Sequence, residues 1–243
     1  MNSDDSPTWL RTLNRPALET FLRDSAGALT EQQSVAILEN RHCSSEVCQV
    51  IAQNPRLTAF YSVRVRLVGH RATPLTHAVK LVHYLHWPDL VRLSVDVRVP
   101  AAVRRAIDKQ LLGRMPKMAL GERISVARRC SREVVQALIF DRDPRVFEAL
   151  LTNQRSREED LVYFASSNRA TKEKLILLAA DRKWSHRYAI RKALVLNPLT
   201  PRSTAASQLR YLSRADREAI RERDDTSVYL RRCIENLRGE EVE

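Results

Sequence analysis

Short apolar segments in the second half of the chain begin and end at asparagine or aspartate residues. Such a residue, often with a proline within four positions, precedes an apolar segment with helical spacing, which ends where the next one appears. These residue types favour helix ends because their side chains bond to nearby backbone groups. The pattern therefore predicts a series of short helices. Its polar boundary residues are Asp141, Asn153, Asn168, Asp181 and Asn197.

The spacing of these boundaries indicates a repeat. Alternate members of the series lie 27, 28 and 29 residues apart, so each repeat contains a pair of helices. A period in this range is typical of α-solenoids, in which each unit buries its apolar face against its neighbours. We therefore predict an all-α solenoid of short paired helices.

Similar signals precede this region. Thr30 with Gln33 forms a capping-box pattern, Ser44 or Ser45 can cap the next helix, and Thr73 before Pro74 predicts another helix start. We expect one domain over residues 1–243 with no separate linker. Within it we expect N-terminal capping helices in 1–39, repeats in 40–237 and a frayed tail in 238–243.

Several short sequence segments resemble those of a known family. They are NPRLT (54–58), RVPAAVRRA (98–106), LGERISVARRCSREVVQAL (120–138), DRDPRVFEALLTN (141–153) and LNPLTPRSTA (196–205). The chain resembles bacterial HEAT-like and leucine-rich-repeat-variant proteins over residues 40–237. The resemblance implies a right-handed α–α superhelix that acts as a binding surface. Some leucine-rich-repeat-variant proteins carry an N-terminal iron–sulfur centre. This chain has only Cys43 and Cys48 near its start, so we expect no cofactor.

Charge narrows the expected partners. The formal net charge is +12, and it is −3 for residues 1–40, +10 for 41–151 and +5 for 152–243. A strongly basic protein favours anionic partners. The sequence has no apolar run of transmembrane length and no signal peptide, and its four cysteines are scattered, so we expect a soluble cytoplasmic protein.

Two groups of residues are candidates for polyanion binding. The first lies on predicted central helices, where stacking could align its members into a stripe unless local acidic residues pair with them. This central group includes Arg104, Arg105, Lys109, Arg114, Lys117, Arg123, Arg128, Arg129 and Arg132. The second group could hold a phosphate backbone beside a stacked base, or its aromatic rings could fill a seam between repeats. It comprises Lys183, Trp184, Arg187, Tyr188 and Arg191.

The sequence offers little for metal binding or catalysis. His77, His83 and His86 share one predicted helix, but no further ligand lies near them and no H-E-x-x-H pattern occurs. Cys43 and Cys48 are five residues apart, unlike a C-x-x-C zinc knuckle, and we interpret them as buried thiols. No phosphate-binding loop or G-x-S-x-G motif is present. We therefore expect no catalytic, cofactor-binding or metal-binding residues.

These observations predict a non-enzymatic scaffold whose basic surface binds an acidic protein segment or another polyanion. The alternative is a DNA- or RNA-binding solenoid similar to the HEAT-like alkylpurine DNA glycosylases. Those enzymes use aromatic residues beside an acidic one, and the nearest counterpart in this chain is Trp184 with Asp181. No motif match transfers their active site, and docking on an anionic membrane is disfavoured because no predicted helix pairs an exposed apolar face with its basic face.

Overall fold

The computed structural model describes residues 7–25 and 28–240, and these residues form helices and turns without a strand. The all-α prediction is therefore confirmed. The chain divides into two compact units, residues 1–117 and 118–243, which are described separately. No helix among the described residues is both long enough and apolar enough to cross a membrane.

Unit 1 contains eight α-helices and two short 3-10 helices within its described residues. The 3-10 helices are Thr8–Arg11 and Met115–Lys117. The α-helices are α1 (Arg15–Ser25), α2 (Glu31–Leu38), α3 (Ser45–Gln53), α4 (Pro55–Ala59), α5 (Tyr61–Gly69), α6 (Leu75–Val82), α7 (Trp87–Ser94) and α8 (Ala101–Arg114). Helix α5 packs against α2 and α6, and α8 packs against α6 and α7.

Unit 2 contains nine α-helices within its described residues. They are α9 (Leu120–Ala127), α10 (Arg132–Leu138), α11 (Pro144–Leu151), α12 (Glu158–Ala165), α13 (Lys172–Ala180), α14 (Tyr188–Leu196), α15 (Arg202–Leu209), α16 (Arg214–Glu222) and α17 (Val228–Glu240). Residues 241–243 of the predicted frayed tail lie outside the described residues. Gly27, a residue type that often ends a helix, also lies outside them.

Helices two positions apart in sequence pack against each other in unit 2. Helix α11 contacts both α9 and α13, α14 contacts α12, and α17 contacts α15. Most of these helices have only seven to nine residues, too few for independent stability, so tertiary burial must hold them. Phe147 on α11 and Phe164 on α12 are fully buried, with ring centroids 4.5 Å apart. The superhelical course and its handedness stay a prediction.

The helix starts show which capping residues were predicted correctly from the sequence. Thr30 and Gln33 form the predicted capping box, and Ser44 accepts a hydrogen bond from the Val47 amide. The predicted cap at Thr73 is wrong, because α6 begins after Pro74 without a side-chain cap. Thr73 is instead buried next to the Cys48 thiol.

A recurring turn follows many of the helices. In it a polar side chain accepts a hydrogen bond from the backbone N–H two residues later, the arrangement of an Asx turn. The acceptors include Asn40, Asn54, His70, Asp96, Asp141, Asn153, Asp181 and Asn197. Four of the five predicted boundary residues therefore serve this turn. The fifth predicted boundary residue, Asn168, is exposed, and its neighbour Ser167 accepts the hydrogen bond of the turn instead.

Three of these asparagines also connect turns that are distant in sequence. The Asn153 amide donates to the carbonyls of Ala127 and Cys130 at 2.8 and 3.3 Å. Asn197 donates in the same way to Ala165 and Ser167. In unit 1, Asn40 donates to Leu10 and Leu13. These buried amides satisfy carbonyls that helix ends leave without an intrahelical partner, and they align successive turns.

Candidate functional site

Three turns of unit 2 lie side by side. Asn153 joins the turn after α9 (128–131) to the turn after α11 (152–157). The indole N–H of Trp184, in the turn after α13 (181–187), donates to the Leu151 carbonyl at 2.9 Å. The turns after α9, α11 and α13 therefore form one continuous surface at the same end of their helices.

The turn after α15 (210–213) extends this surface. The Tyr188 hydroxyl contacts Ser213 at 3.3 Å and also bonds to the Asp216 carboxylate. The Arg191 guanidinium lies 3.7 Å from the centroid of the Tyr211 ring. Since Tyr188 begins α14, the start of this helix lies beside the start of α16.

Exposed basic side chains gather on the four turns and, at Arg214, on the first residue of α16. None of them forms an ion pair with a described residue, although the Lys183 ammonium lies over the Trp184 ring. We call this set the basic edge. Its members are Arg128, Arg129, Arg155, Arg157, Arg182, Lys183, Arg210 and Arg214. The sequence-based candidates included only Arg128, Arg129 and Lys183. Arg182 directly precedes Lys183 but was not among them, and Arg155, Arg157, Arg210 and Arg214 meet the candidates only when alternate helices stack.

Acidic residues at the start of α12 interrupt the basic edge. Arg132 bonds to Glu159 at 2.9 Å and to Asp160 at 3.2 Å, and Arg187 lies 3.8 Å from Glu158. Burial opposes ionisation of Asp160, but bonds from Arg132 and Gln136 outweigh it and lower the pKa. Arg132 and Arg187 are thus engaged within the protein, unlike the exposed members of the edge.

The aromatic candidates have internal roles. Trp184 is only 3% exposed, and the Lys183 ammonium lies 4.2 Å from the centroid of its ring. Tyr188 is half-exposed but its hydroxyl is bonded, and Arg191 donates to the Ser185 carbonyl. The Trp184 ring is therefore not available for stacking on a base.

The pairing of Trp184 with Asp181 does not resemble a catalytic arrangement. The Asp181 carboxylate accepts the backbone N–H groups of Lys183 and Trp184, at 2.9 and 3.0 Å. Both bonds belong to the recurring turn. Asp181 therefore holds the turn, while the buried Trp184 donates to Leu151 at the end of α11.

The remaining central candidates belong to two units. Arg105 and Lys109 are exposed on α8 of unit 1, where Arg104 is half-buried. Arg114 of the same helix donates to the carbonyls of His83 and Leu85. In unit 2, Arg123 pairs with Asp141, whereas Lys117 is an exposed residue of unit 1. A stripe running from α8 to α10 stays a prediction.

A second cluster lies in unit 1, and sequence reasoning identified only part of it. The Cys43 and Cys48 sulfurs lie 3.5 Å apart, and Cys48 Sγ lies 3.2 Å from His70 Nδ1. Both thiols are buried and His70 is half-buried. His70 could have been recognised from its position, since it is 30 residues after Asn40 and serves the same kind of turn.

The two thiols differ in acidity. Their mutual hydrogen bond lowers the pKa of Cys48, against the effect of burial, and contacts with His70 and Thr73 lower it further. The same hydrogen bond, together with burial, raises the pKa of Cys43. Cys48 is therefore the thiol that the cluster favours as a thiolate.

Among the described residues, only Cys43, Cys48 and His70 bring three ligand atoms of metal-binding type within 4.8 Å of one another. His77, His83 and His86 do not form such a group, and His86 packs against Tyr61. Comparison of the chain with family models, curated proteins and solved structures gives no match. The proposed functions therefore rest on the geometry of the basic edge and of the cluster formed by Cys43, Cys48 and His70.

Proposed function

We propose that the protein is a non-enzymatic binding scaffold and that the basic edge of unit 2 holds an acidic segment of a protein partner. The observation that carries this proposal is the convergence of eight exposed, unpaired basic side chains on adjacent turns. Clustered charge of one sign attracts and orients an oppositely charged partner.

The spacing of the turns suits an extended peptide. Packed helices lie about 8–10 Å apart, so the turns after α9, α11 and α13 repeat at about that distance. An extended chain advances about 3.3 Å per residue. Acidic residues at every third position of the peptide would therefore meet successive turns of the basic edge.

Two features favour a protein partner over a nucleic acid. Glu158 and Glu159 lie between basic turns, where a uniformly charged phosphate backbone would be repelled. The buried Trp184 also removes the stacking platform that single-stranded nucleic acids use. A peptide can place a neutral or basic residue opposite the start of α12 and so avoid the repulsion.

We also propose that the helices form a right-handed HEAT-like superhelix, as the resemblance to HEAT-like and leucine-rich-repeat-variant proteins implies. The support is local. Helices two apart in sequence pack together, and buried asparagines connect successive turns in both units. In such arrays neighbouring repeats bury each other's apolar faces, which these short helices require.

Binding should depend on the basic edge. The triple variant Arg129→Ala/Arg155→Ala/Arg182→Ala removes three exposed charges, each expected to contribute about 0.5 kcal/mol to binding. We expect about tenfold weaker affinity for a labelled peptide with glutamate at every third position. Fluorescence anisotropy at low and physiological salt measures this, with random duplex DNA and single-stranded RNA as competing probes.

The matched control is Arg142→Ala/Lys172→Ala/Arg202→Ala. These three residues are also exposed and unpaired among the described residues, but they lie at the opposite ends of α10, α13 and α15. The control should bind the peptide like the unmodified protein. Equal losses in both triple variants would exclude the basic edge as the site, and tighter, salt-resistant binding to nucleic acid would establish the nucleic-acid alternative.

A further inference from the structure

The Cys43, Cys48 and His70 side chains converge because two turns of unit 1 lie together. Cys43 lies in the turn after α2, where Asn40 bonds to the His42 amide and to the Leu10 and Leu13 carbonyls. Cys48 follows in α3, and His70 occupies the turn after α5. The thiols and the imidazole thus come from separate segments that are each held by hydrogen bonds.

The imidazole is in a form that can bind a metal ion. His70 Nδ1 accepts the Ala72 backbone N–H at 3.2 Å, which places the ring proton on Nε2. Cys48 Sγ lies 3.2 Å from the same nitrogen, so Nδ1 is the ring atom that faces the thiol. Nδ1 has a single lone pair, so a metal ion bound there would replace the hydrogen bond from the Ala72 amide.

The separations within the cluster fit a tetrahedral zinc centre. Zn–S bonds of about 2.3 Å and Zn–N bonds of about 2.0–2.1 Å require ligand separations of about 3.8 Å for S···S and about 3.5 Å for S···N. The observed values are 3.5 Å between the sulfurs and 3.2 Å from Cys48 Sγ to Nδ1, and the ligand atoms of Cys43 and His70 lie within 4.8 Å of each other. Outward movements of a few tenths of an ångström would admit the ion.

We propose that Cys43, Cys48 and His70 form a Zn²⁺-binding site in unit 1. Soft thiolate ligands with an imidazole select this class of cation. Two thiolates and a neutral imidazole also neutralise a divalent ion, so the buried centre carries no net charge. Three protein ligands leave a fourth coordination position, which water can reach on the side of the half-buried His70.

The test measures zinc binding by the full chain, reduced and freed of metal, in competition with a chromophoric chelator. We expect one Zn²⁺ per chain and a rise in Tm on its addition. Replacement of zinc by Co²⁺ should give thiolate-to-cobalt charge-transfer absorption and the intense visible bands of a tetrahedral ion. Cys48→Ser should weaken zinc binding by on the order of a hundredfold or more, since even residues behind the ligands contribute 10–100-fold.

Two further variants separate ligation from folding. His70→Asn keeps a turn acceptor of the type found at Asn40, Asn153 and Asn197, so the metal-free protein should retain its Tm while losing the cobalt spectrum. Cys233 is a free cysteine of α17, and the Cys233→Ser variant should bind zinc like the unmodified protein. Zinc affinity unchanged by Cys48→Ser and His70→Asn would overturn the proposal. The proposal would also be wrong if Cys43 and Cys48 formed a disulfide in air and the reduced protein bound no zinc.

Discussion

Replacing Asn153 by alanine is expected to lower the free energy of unfolding by about 3–4 kcal/mol. The change removes two hydrogen bonds to buried carbonyls and the acceptor of the Arg155 amide, and each group left unsatisfied costs about 1–3 kcal/mol. Asn153 is 1% exposed, so water cannot replace its amide without rearrangement. Thermal unfolding followed by circular dichroism should show a decrease in Tm on the order of 10 °C.

Asn168→Ala provides the comparison. Asn168 has the same residue type and the same spacing in the sequence pattern, but it is exposed and its neighbour Ser167 serves the turn. We expect a change within about 0.5 kcal/mol. A loss at Asn168 as large as that at Asn153 would show that the connecting hydrogen bonds are not the source of the stability.

The second large effect is expected at Arg123. This residue and Asp141 form a nearly buried ion pair, with Arg123 Nη1 at 2.7 and 2.5 Å from the two carboxylate oxygens. Removing one partner of a buried pair leaves an uncompensated charge. We therefore expect Arg123→Ala to cost about 3 kcal/mol of unfolding free energy, measured by urea denaturation.

The double variant Arg123→Met/Asp141→Asn should recover most of that loss. Asparagine can still accept the Asp143 amide, neither position keeps an unpaired charge, and the buried Lys174 ammonium retains its bonds to the Ile139 and Asp141 carbonyls. The exposed pair of Arg223 with Asp225 is the control, for which Arg223→Ala should change stability by less than about 1 kcal/mol. If the double variant were no more stable than Arg123→Ala, the loss would arise from packing of the arginine stem.

The capping residues show how far local sequence predicts this fold. Thr30 with Gln33 determines the start of α2 because both hydrogen bonds form within four residues. Thr73 carried a similar signal, but its side chain is buried beside Cys48, and α6 starts without it. Burial by a distant segment thus overrides a local preference whenever the two compete for one side chain.

The basic edge was predicted only in part for a related reason. Arg128 and Arg129 stood out because they are adjacent in sequence, and Lys183 because it adjoins Trp184. Arg155 is far in sequence from these candidates and joins them only where alternate helices stack, whereas Arg182 directly precedes Lys183 and was missed although it is adjacent in sequence. The sequence left two roles open for Trp184, stacking on a base or filling a seam between repeats, because it does not show that α11 supplies a carbonyl partner for the indole.

By itself, the sequence determined the all-helical character of the described residues, many of the turns between helices and the excess of positive charge. Periodicity, capping and charge depend on residues that are close in sequence, so they can be recognised from the amino-acid sequence alone. The tertiary structure alone decided that Asn153 reaches Ala127, that the basic turns of unit 2 share one surface, and that His70 meets Cys43 and Cys48. Each of these depends on which helices pack together, and that choice is made by burial of apolar side chains across the whole unit.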